Sequence, residues 1–340
     1  MNKILKEDIK VFTENFPLSK ELECASFLIT GATGLIGKTL VECLLAQGKN
    51  ITITMPVRNK EKAENIFGKA REKLQIIECD LCEFIHNINI HYDYIVHLAS
   101  PTSGSYICEN PIETFEFAIE TTRSLLHYAC SNKIKGFVYV SSLEYYGQNF
   151  DDNVIYENFS GYIDMSSPRS AYPMGKRAAE YLCTSYALEK KVPVKIARLT
   201  QTFGAGVSYD DNRVFAQFAK SVIKGKNIVL HTKGESAKPY CYTTDCISAL
   251  LYILLKGENG EAYNVANSET YISIAEMAHF VCQKFNRNIN VVIEEHPEMG
   301  YAPITKLNLS SKKLMALGWK PCYNLLDMYK RLIADLQNNS

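Results

Sequence analysis

From residue 27 onward the chain alternates two kinds of segment. Short runs are apolar at nearly every position, and longer stretches place apolar residues every three or four. Phe27–Thr30, Ile51–Val57, Leu74–Glu78, Tyr94–Leu98, Phe137–Ser141 and Val194–Arg198 are the short runs. Continuously apolar and rich in β-branched residues, they predict strands covered on both faces. Among the longer stretches, Ile112, Phe115, Ile119, Thr122, Leu126 and Ala129 share one face of a helix. Strand and helix in alternation predict an α/β fold, a doubly wound parallel sheet between two helical layers.

After Phe203 the pattern loosens. A helix over Val214–Ile223, a strand at Ile228–His231, a helix with Asp245 as its N-cap, a strand at Tyr263–Ala266 and a helix at Ile274–Phe285 are expected. This predicts a smaller C-terminal α/β lobe. The division that follows is an N-terminal extension over residues 1–26, a first domain over 27–203, and residues 204–340 as mainly the second lobe, interleaved with the first. The extension is polar and partly helical, and the fold is expected to do without it. No Gly- and Pro-rich linker separates the lobes, so a shared cleft is expected.

Composition removes several classes of function. The 340 residues are 46% hydrophobic and 22% charged, enough to bury a full core. Thirty-seven basic residues balance 37 acidic ones, so no basic field invites nucleic acid or an anionic membrane. The longest uncharged apolar run, Ile247–Leu255, has nine residues, against roughly 20 for a bilayer span. The opening MNKILKEDIK carries both signs of charge and no apolar export core, which predicts a cytoplasmic protein. Eleven cysteines, an odd number, then read as free thiols. Cys79-x-x-Cys82 with His86 lacks a second ligand pair, so no metal is expected.

Chemistry first shows in Gly31-Ala32-Thr33-Gly34-Leu35-Ile36-Gly37, set between a strand and a helix. Glycines at this spacing turn the chain tightly, bring backbone amides to a pyrophosphate at the helix N-terminus, and let helix and strand approach closely. Dinucleotide binding by a Rossmann-type sheet follows. About 20 residues on, an acid would take the ribose diol. The chain has Arg58 there and no carboxylate before Glu61. A guanidinium suits a 2′-phosphate, so the expected cofactor is NADP or NAD, with NADP favoured. Asp80, after the third strand, is a candidate for the adenine amino group.

Tyr172-Pro173-Met174-Gly175-Lys176 supplies the second signal. Residues four apart share a helix face, so the ammonium can lie near the phenol and the cofactor. A phenol of ordinary pKa about 10 is a poor base at neutral pH, and a nearby cation favours its ionised form. The strand ending in Ser141-Ser142 presents hydroxyls to a substrate oxygen, with Glu144 just beyond as a spare acid or base or a surface residue.

These motifs together resemble the extended short-chain dehydrogenase/reductases that modify nucleotide sugars. The resemblance covers roughly residues 27–330: GATGLIG, Asp80-Leu81, Leu98-Ala99-Ser100 within HLAS, SSLEYYG (141–147), YPMGK (172–176), ARLTQTFGAG (197–206) and KPYCYTTD (238–245). It implies a Ser142, Tyr172, Lys176 triad, with Tyr172 and Lys176 also touching the cofactor. It implies substrate diphosphate binding by Gln201, Arg213 and Lys238, and a homodimer paired through helices of the first domain.

Within the family, HLASPTSGSY and SPRSAYPMGKR look most like UDP-glucuronate decarboxylases. Those enzymes carry Thr-Ser-Glu where this chain has Ser142-Leu143-Glu144, and an arginine for the substrate carboxylate where it has Thr305-Lys306. Leu143 likewise cannot serve as the aspartate of a 4,6-dehydratase. The family's helix asparagine appears as Ala118, and its substrate-lobe asparagine and arginine as Gln201 and Lys238. The resulting expectation is an NAD(P)-dependent epimerase acting on a nucleotide-linked sugar by Tyr-assisted hydride transfer. An NADPH-dependent reductase of a keto sugar is the alternative, and a UDP-glucuronate decarboxylase-like enzyme stands further off.

Overall fold

A computed structural model describes residues 3–68, 72–296 and 304–338. In chain order the strands are β1 (Ser26–Thr30), β2 (Thr52–Val57), β3 (Leu74–Glu78), β4 (Tyr94–His97), β5 (Gly136–Ser142), β6 (Val154–Ile155) and β7 (Val194–Leu199). Then come β8 (Gln201–Phe203), β9 (Ile228–Leu230), β10 (Ala237–Tyr242), β11 (Ala262–Val265), β12 (Asn267–Ser273), β13 (Val291–Ile293) and β14 (Asn308–Leu309). The first helices are α1 (Lys3–Asn15), α2 (Leu35–Ala46), α3 (Lys60–Phe67), α4 (Leu81–His86), α5 (Gly104–Glu109), α6 (Pro111–Asn132) and α7 (Ala171–Lys190). They are followed by α8 (Val214–Lys224), α9 (Thr243–Lys256), α10 (Ile274–Phe285), α11 (Lys312–Ala316) and α12 (Leu325–Gln337).

Seven parallel strands form the central sheet in the order β11-β7-β5-β4-β1-β2-β3. The order reverses between β1 and β4, the place where such sheets open a crevice at their C-terminal ends. Period-two alternation divides each strand between two cores. Phe27 and Ile29 face a layer containing α2, α3 and α9, whereas Leu28 faces α4, α6 and α7. The second lobe is built from the mixed sheet β12-β10-β8, the pair β13-β9, and helices α8, α10 and α12 around their own apolar cluster. Its chain is not contiguous, because α9 and β11 return to the first layer. No helix among the described residues is long and apolar enough to cross a membrane.

Three expectations are corrected here. The N-terminal extension is part of the fold: Leu5, Ile9, Phe12 and Phe16 are buried in the same core as α2 and α9. Their spacing of three or four makes one narrow apolar stripe, which the charged residues between them conceal in an average over the segment. Asp245 is not the N-cap of α9, which begins two residues earlier, after Tyr242; its carboxylate instead accepts from Tyr323 N at 3.1 Å. The buried stripe of α6 keeps Thr122, Leu126 and Ala129 of the expected face but is rotated from it at the start of the helix. Ile112 is 73% exposed, while Thr114, Ala118 and Thr121 are buried. Thr121 and Thr122 can be buried because each hydroxyl donates to a carbonyl one turn back, at 2.6 and 2.7 Å.

Candidate active site

The turn after β1 fits a dinucleotide phosphate. Gly31 has φ of +70°, and a Cβ there would lie 2.7 Å from Ala99 N; one on Gly37 would lie 2.3 Å from Gly31 O. Only glycine allows this meeting of turn, helix and the Leu98–Ser100 loop. Gly34 caps α2 without any side-chain hydrogen bond, so the first-turn amides of Leu35 and Ile36 keep the vacant donors that an anion takes. Beneath the turn, Thr30 Oγ1 receives Ala99 N at 3.2 Å and bonds His97 Nδ1 at 2.6 Å. Burial drives the His97 imidazole down to about 3, with Lys176 adding repulsion, so it is a neutral prop.

The adenosine end is less complete. Arg58 stands exposed just past β2 and makes no hydrogen bond or ion pair among the described residues. Asn59 next to it caps α3, accepting from Lys62 N at 2.7 Å. A carboxylate does come near, and not from β2: Glu78, paired with Val57 across the sheet, accepts from Lys60 N at 3.1 Å. Asp80 caps α4 through Glu83 N at 3.1 Å, with Leu81 opening that helix.

Ser142, Tyr172 and Lys176 converge at the C-terminal end of β5. Tyr172 and Lys176 lie one turn apart on α7, with the ammonium 5.6 Å from the Tyr172 ring centroid. Lys176 is 4% exposed. Its Nζ donates to Val140 O at 2.9 Å and sits 5.0 Å from the Tyr139 ring. Ala118, in the asparagine's place, packs toward Gly175, so this ammonium is held by a backbone carbonyl and a ring. Burial pulls Lys176 down to about 8, opposed by the charge of Glu180. Burial pushes the Tyr172 phenol up to about 12, and the Glu144 carboxylate pushes the same way; its hydrogen bond to Ser142 and the charge of Arg169 oppose them.

Glu144 is not a free carboxylate. Arg169 Nη2 spans its two oxygens at 3.0 and 3.2 Å. Lys238, on β10, faces the same group: burial lowers its proton affinity, Glu144 raises it and Arg169 lowers it. Gln201 stands on the neighbouring strand β8, in register with Tyr240. Arg213 is apart from them, its guanidinium held by Asp211 with Nε–Oδ2 at 3.0 Å. Thr305 and Lys306 present no fork to the cleft, since Lys306 Nζ binds Asp152 Oδ2 at 2.6 Å. Leu143 packs into a small apolar cluster with Leu307 and Leu309.

Two supports escaped the sequence reading. One is Arg169, three residues before Tyr172 in a segment with no helical period to mark its direction. The other is the buried pair Arg198–Glu180, with Nη2–Oε2 at 2.7 Å, which also holds Tyr146 Oη at 3.0 Å. Glu180 lies one turn beyond Lys176 on α7, a spacing that marks it as a partner for that ammonium. The cysteines are all free, and no group of three or more His, Cys, Asp or Glu among the described residues is arranged for a metal.

Comparison with known proteins bears on family and fold. The model of the NAD dependent epimerase/dehydratase family matches residues 27–266. UDP-glucuronic acid decarboxylase 1 of Xenopus tropicalis is 27% identical over 319 residues, covering 91% of this chain and 72% of its own length. UDP-glucuronic acid decarboxylase 5 of Arabidopsis thaliana is 27% identical over 321 residues, covering 90% and 88%. Among solved structures, UDP-N-acetylglucosamine 4-epimerase of Methanobrevibacter ruminantium superposes with a TM-score of 0.81 at 19% identity, covering 94% of this chain and 100% of that one. UDP-glucuronic acid 4-epimerase of Bacillus cereus, solved with UDP-glucuronic acid and NAD, superposes at 0.75 with 20% identity, covering 93% and 100%. These two likenesses are of fold.

Proposed function

The chain belongs to the NAD-dependent epimerase/dehydratase family, and on that premise we propose that it is an NAD(P)-dependent epimerase of a nucleotide-linked sugar. The observation that carries this reading is the convergence of Ser142, Tyr172 and Lys176 beside the glycine turn. When bound at Gly31–Gly37, against Leu98–Ser100 and with Asp80 and Arg58 at its adenosine end, the dinucleotide supplies a hydride acceptor and donor. Ser142 holds the substrate hydroxyl, and Tyr172 takes its proton as the carbinol is oxidised and gives one back on reduction. Lys176 keeps the phenolate from standing as an uncompensated charge. Lys238 and Gln201 face the substrate from the second lobe, and Arg213 joins them by leaving Asp211 for a diphosphate.

Epimerisation is preferred over the other reactions of such sites on local grounds. Decarboxylation calls for a bidentate partner to the sugar carboxylate, and Thr305-Lys306 provides none. Dehydration calls for an acid at position 143, where Leu143 faces an apolar cluster. Arg58, without a hydrogen bond or ion pair among the described residues, favours one second reading, a reductase that consumes NADPH on a keto sugar. Incubation with a panel of UDP- and dTDP-sugars separates these. Interconversion of two epimers with no net cofactor consumed is expected, and stoichiometric loss of NADPH overturns it in favour of the reductase. Tyr172→Phe keeps the ring and removes the proton, so turnover is expected to fall by about 10² or more. Near-normal turnover of that variant rejects Tyr172 as the acid and base.

A further inference from the structure

The cleft contains an ion pair that the chemistry above leaves without a task. Arg169 comes from the turn before α7, and Glu144 from the turn after β5. Its Nη2 bridges both carboxylate oxygens while Nη1 lies against Gly104 at the start of α5. Both side chains are part-exposed, 43% for Arg169 and 36% for Glu144, so the pair forms wall rather than core. We propose that Arg169 is a positioning residue, which pins the Glu144 carboxylate beside Tyr172 and makes the charge that the phenol faces that of a neutral pair.

Three further groups face this point. Lys176 lies below the Tyr172 ring, Lys238 approaches from the second lobe, and Ser142 stands beside the phenol while its Oγ accepts from Glu144 N at 3.2 Å. The Glu144 backbone is therefore fixed beside the reacting group, and Arg169 is what holds its carboxylate there. A bare carboxylate there opposes ionisation of the phenol, and a guanidinium bound to it cancels most of that opposition. Arg169 thus sets the pH at which Tyr172 becomes a base and withholds Glu144 from proton transfer. A lone carboxylate in its place would repel an anionic substrate group as well.

The test uses Arg169→Gln, Arg169→Lys, Glu144→Gln and the double variant Arg169→Gln/Glu144→Gln of the full chain. Labelling of Glu144 by a water-soluble carbodiimide with an amine, followed by peptide mass spectrometry, needs neither cofactor nor sugar. Arg169→Gln is expected to speed it severalfold, because the guanidinium no longer covers the two carboxylate oxygens, and Arg169→Lys falls between. The kinetic arm rests on the function proposed above. In the oxidising direction, the pH limb assigned to Tyr172 moves up by about one unit in Arg169→Gln and down in Glu144→Gln. It returns close to the wild-type position in the double variant. A purely structural arginine predicts instead that the double variant stays with Arg169→Gln, and that result overturns the inference. Unchanged labelling of Glu144 overturns it too. If the wild type turns over no nucleotide sugar, the proposed function fails, and the labelling arm alone decides the role of Arg169.

Discussion

An ammonium that is 4% exposed is an expensive thing to keep, and at Lys176 the expense has a measurable sign. Its proton affinity is lowered to about 8 from an ordinary 10.5, first by burial. Below pH 8 the folded state carries the full penalty of the buried charge, and stability recovers as pH rises from 8 toward 10.5. Lys176→Met is therefore expected to raise stability at neutral pH by about 1–3 kcal/mol in urea titration while turnover collapses. Loss of stability in the Met variant would show that the Val140 carbonyl compensates the charge fully. Arg58 is the reverse case, an exposed cation with room for a partner. A 2′-phosphate there gains a charge-assisted hydrogen bond, so NADP(H) is expected to bind more tightly than NAD(H). Arg58→Ala is expected to remove about 1–3 kcal/mol of that preference. Equal affinities in the wild type would mean that Glu78, bonded to Lys60 N nearby, governs the site instead.

Among the elements, α1 ties both lobes together. Its apolar stripe joins the core of α2 and α9, and its buried Asp8 meets Tyr242 Oη at 2.5 Å and Arg331 of α12. The same knot continues through Asp335, which receives Gly206 N at 2.8 Å, and through Lys38, next to the glycine turn, which donates to Gly206 O. Burial holds the Asp8 carboxyl up at about 6, against the pull of Tyr242 and Arg331. Between about 4 and 6 the folded chain therefore binds the proton that the unfolded chain releases, and stability falls as pH rises through that window. Asp8→Asn keeps an acceptor for Tyr242 without the charge. Relative to wild type it is expected to gain up to about 3 kcal/mol as pH goes from 4 to 7. A difference that does not change with pH rejects the buried charge as its cause.

Over the whole molecule, α6 and α7, which pack on each other, carry large apolar side chains that the described residues leave exposed. Ile112 on α6 is 73% exposed, and Tyr181 and Leu188, two turns apart on α7, are 73% and 68% exposed. Apolar side chains grouped on adjacent helices mark a surface that a partner covers, and a two-fold pairing of identical faces is the simplest closure. A homodimer through α6 and α7 is expected by sedimentation at micromolar concentration. Leu188→Glu is expected to raise the dissociation constant at least tenfold, since it forces a charge into the seam. A wild-type monomer would contradict this.

Local order was legible in the chain because it rests on periodicity and on residues with few conformational choices. The continuous apolar runs marked the seven strands of the central sheet to within a residue or two. Gly31, Gly34 and Gly37 marked the tight turn after β1, since no side chain fits between Gly31 and Ala99. The four-residue interval of Tyr172 and Lys176 placed them on one helix face. Direction and pairing lay beyond that reach. Charged residues spread over α1 hid its stripe, and a hydroxyl that bonds its own helix lets Thr121 take the buried side of α6. Arg169 meets Glu144 across 25 residues, and Asp8 meets Tyr242 across 234. Such contacts exist only once the sheet has brought distant turns to one edge. Sequence alone determined the fold class and the chemistry on offer, because both follow from residue type and spacing. Tertiary structure decided which charges face one another, because burial and distance set the strength of a charge and neither is a property of a residue by itself.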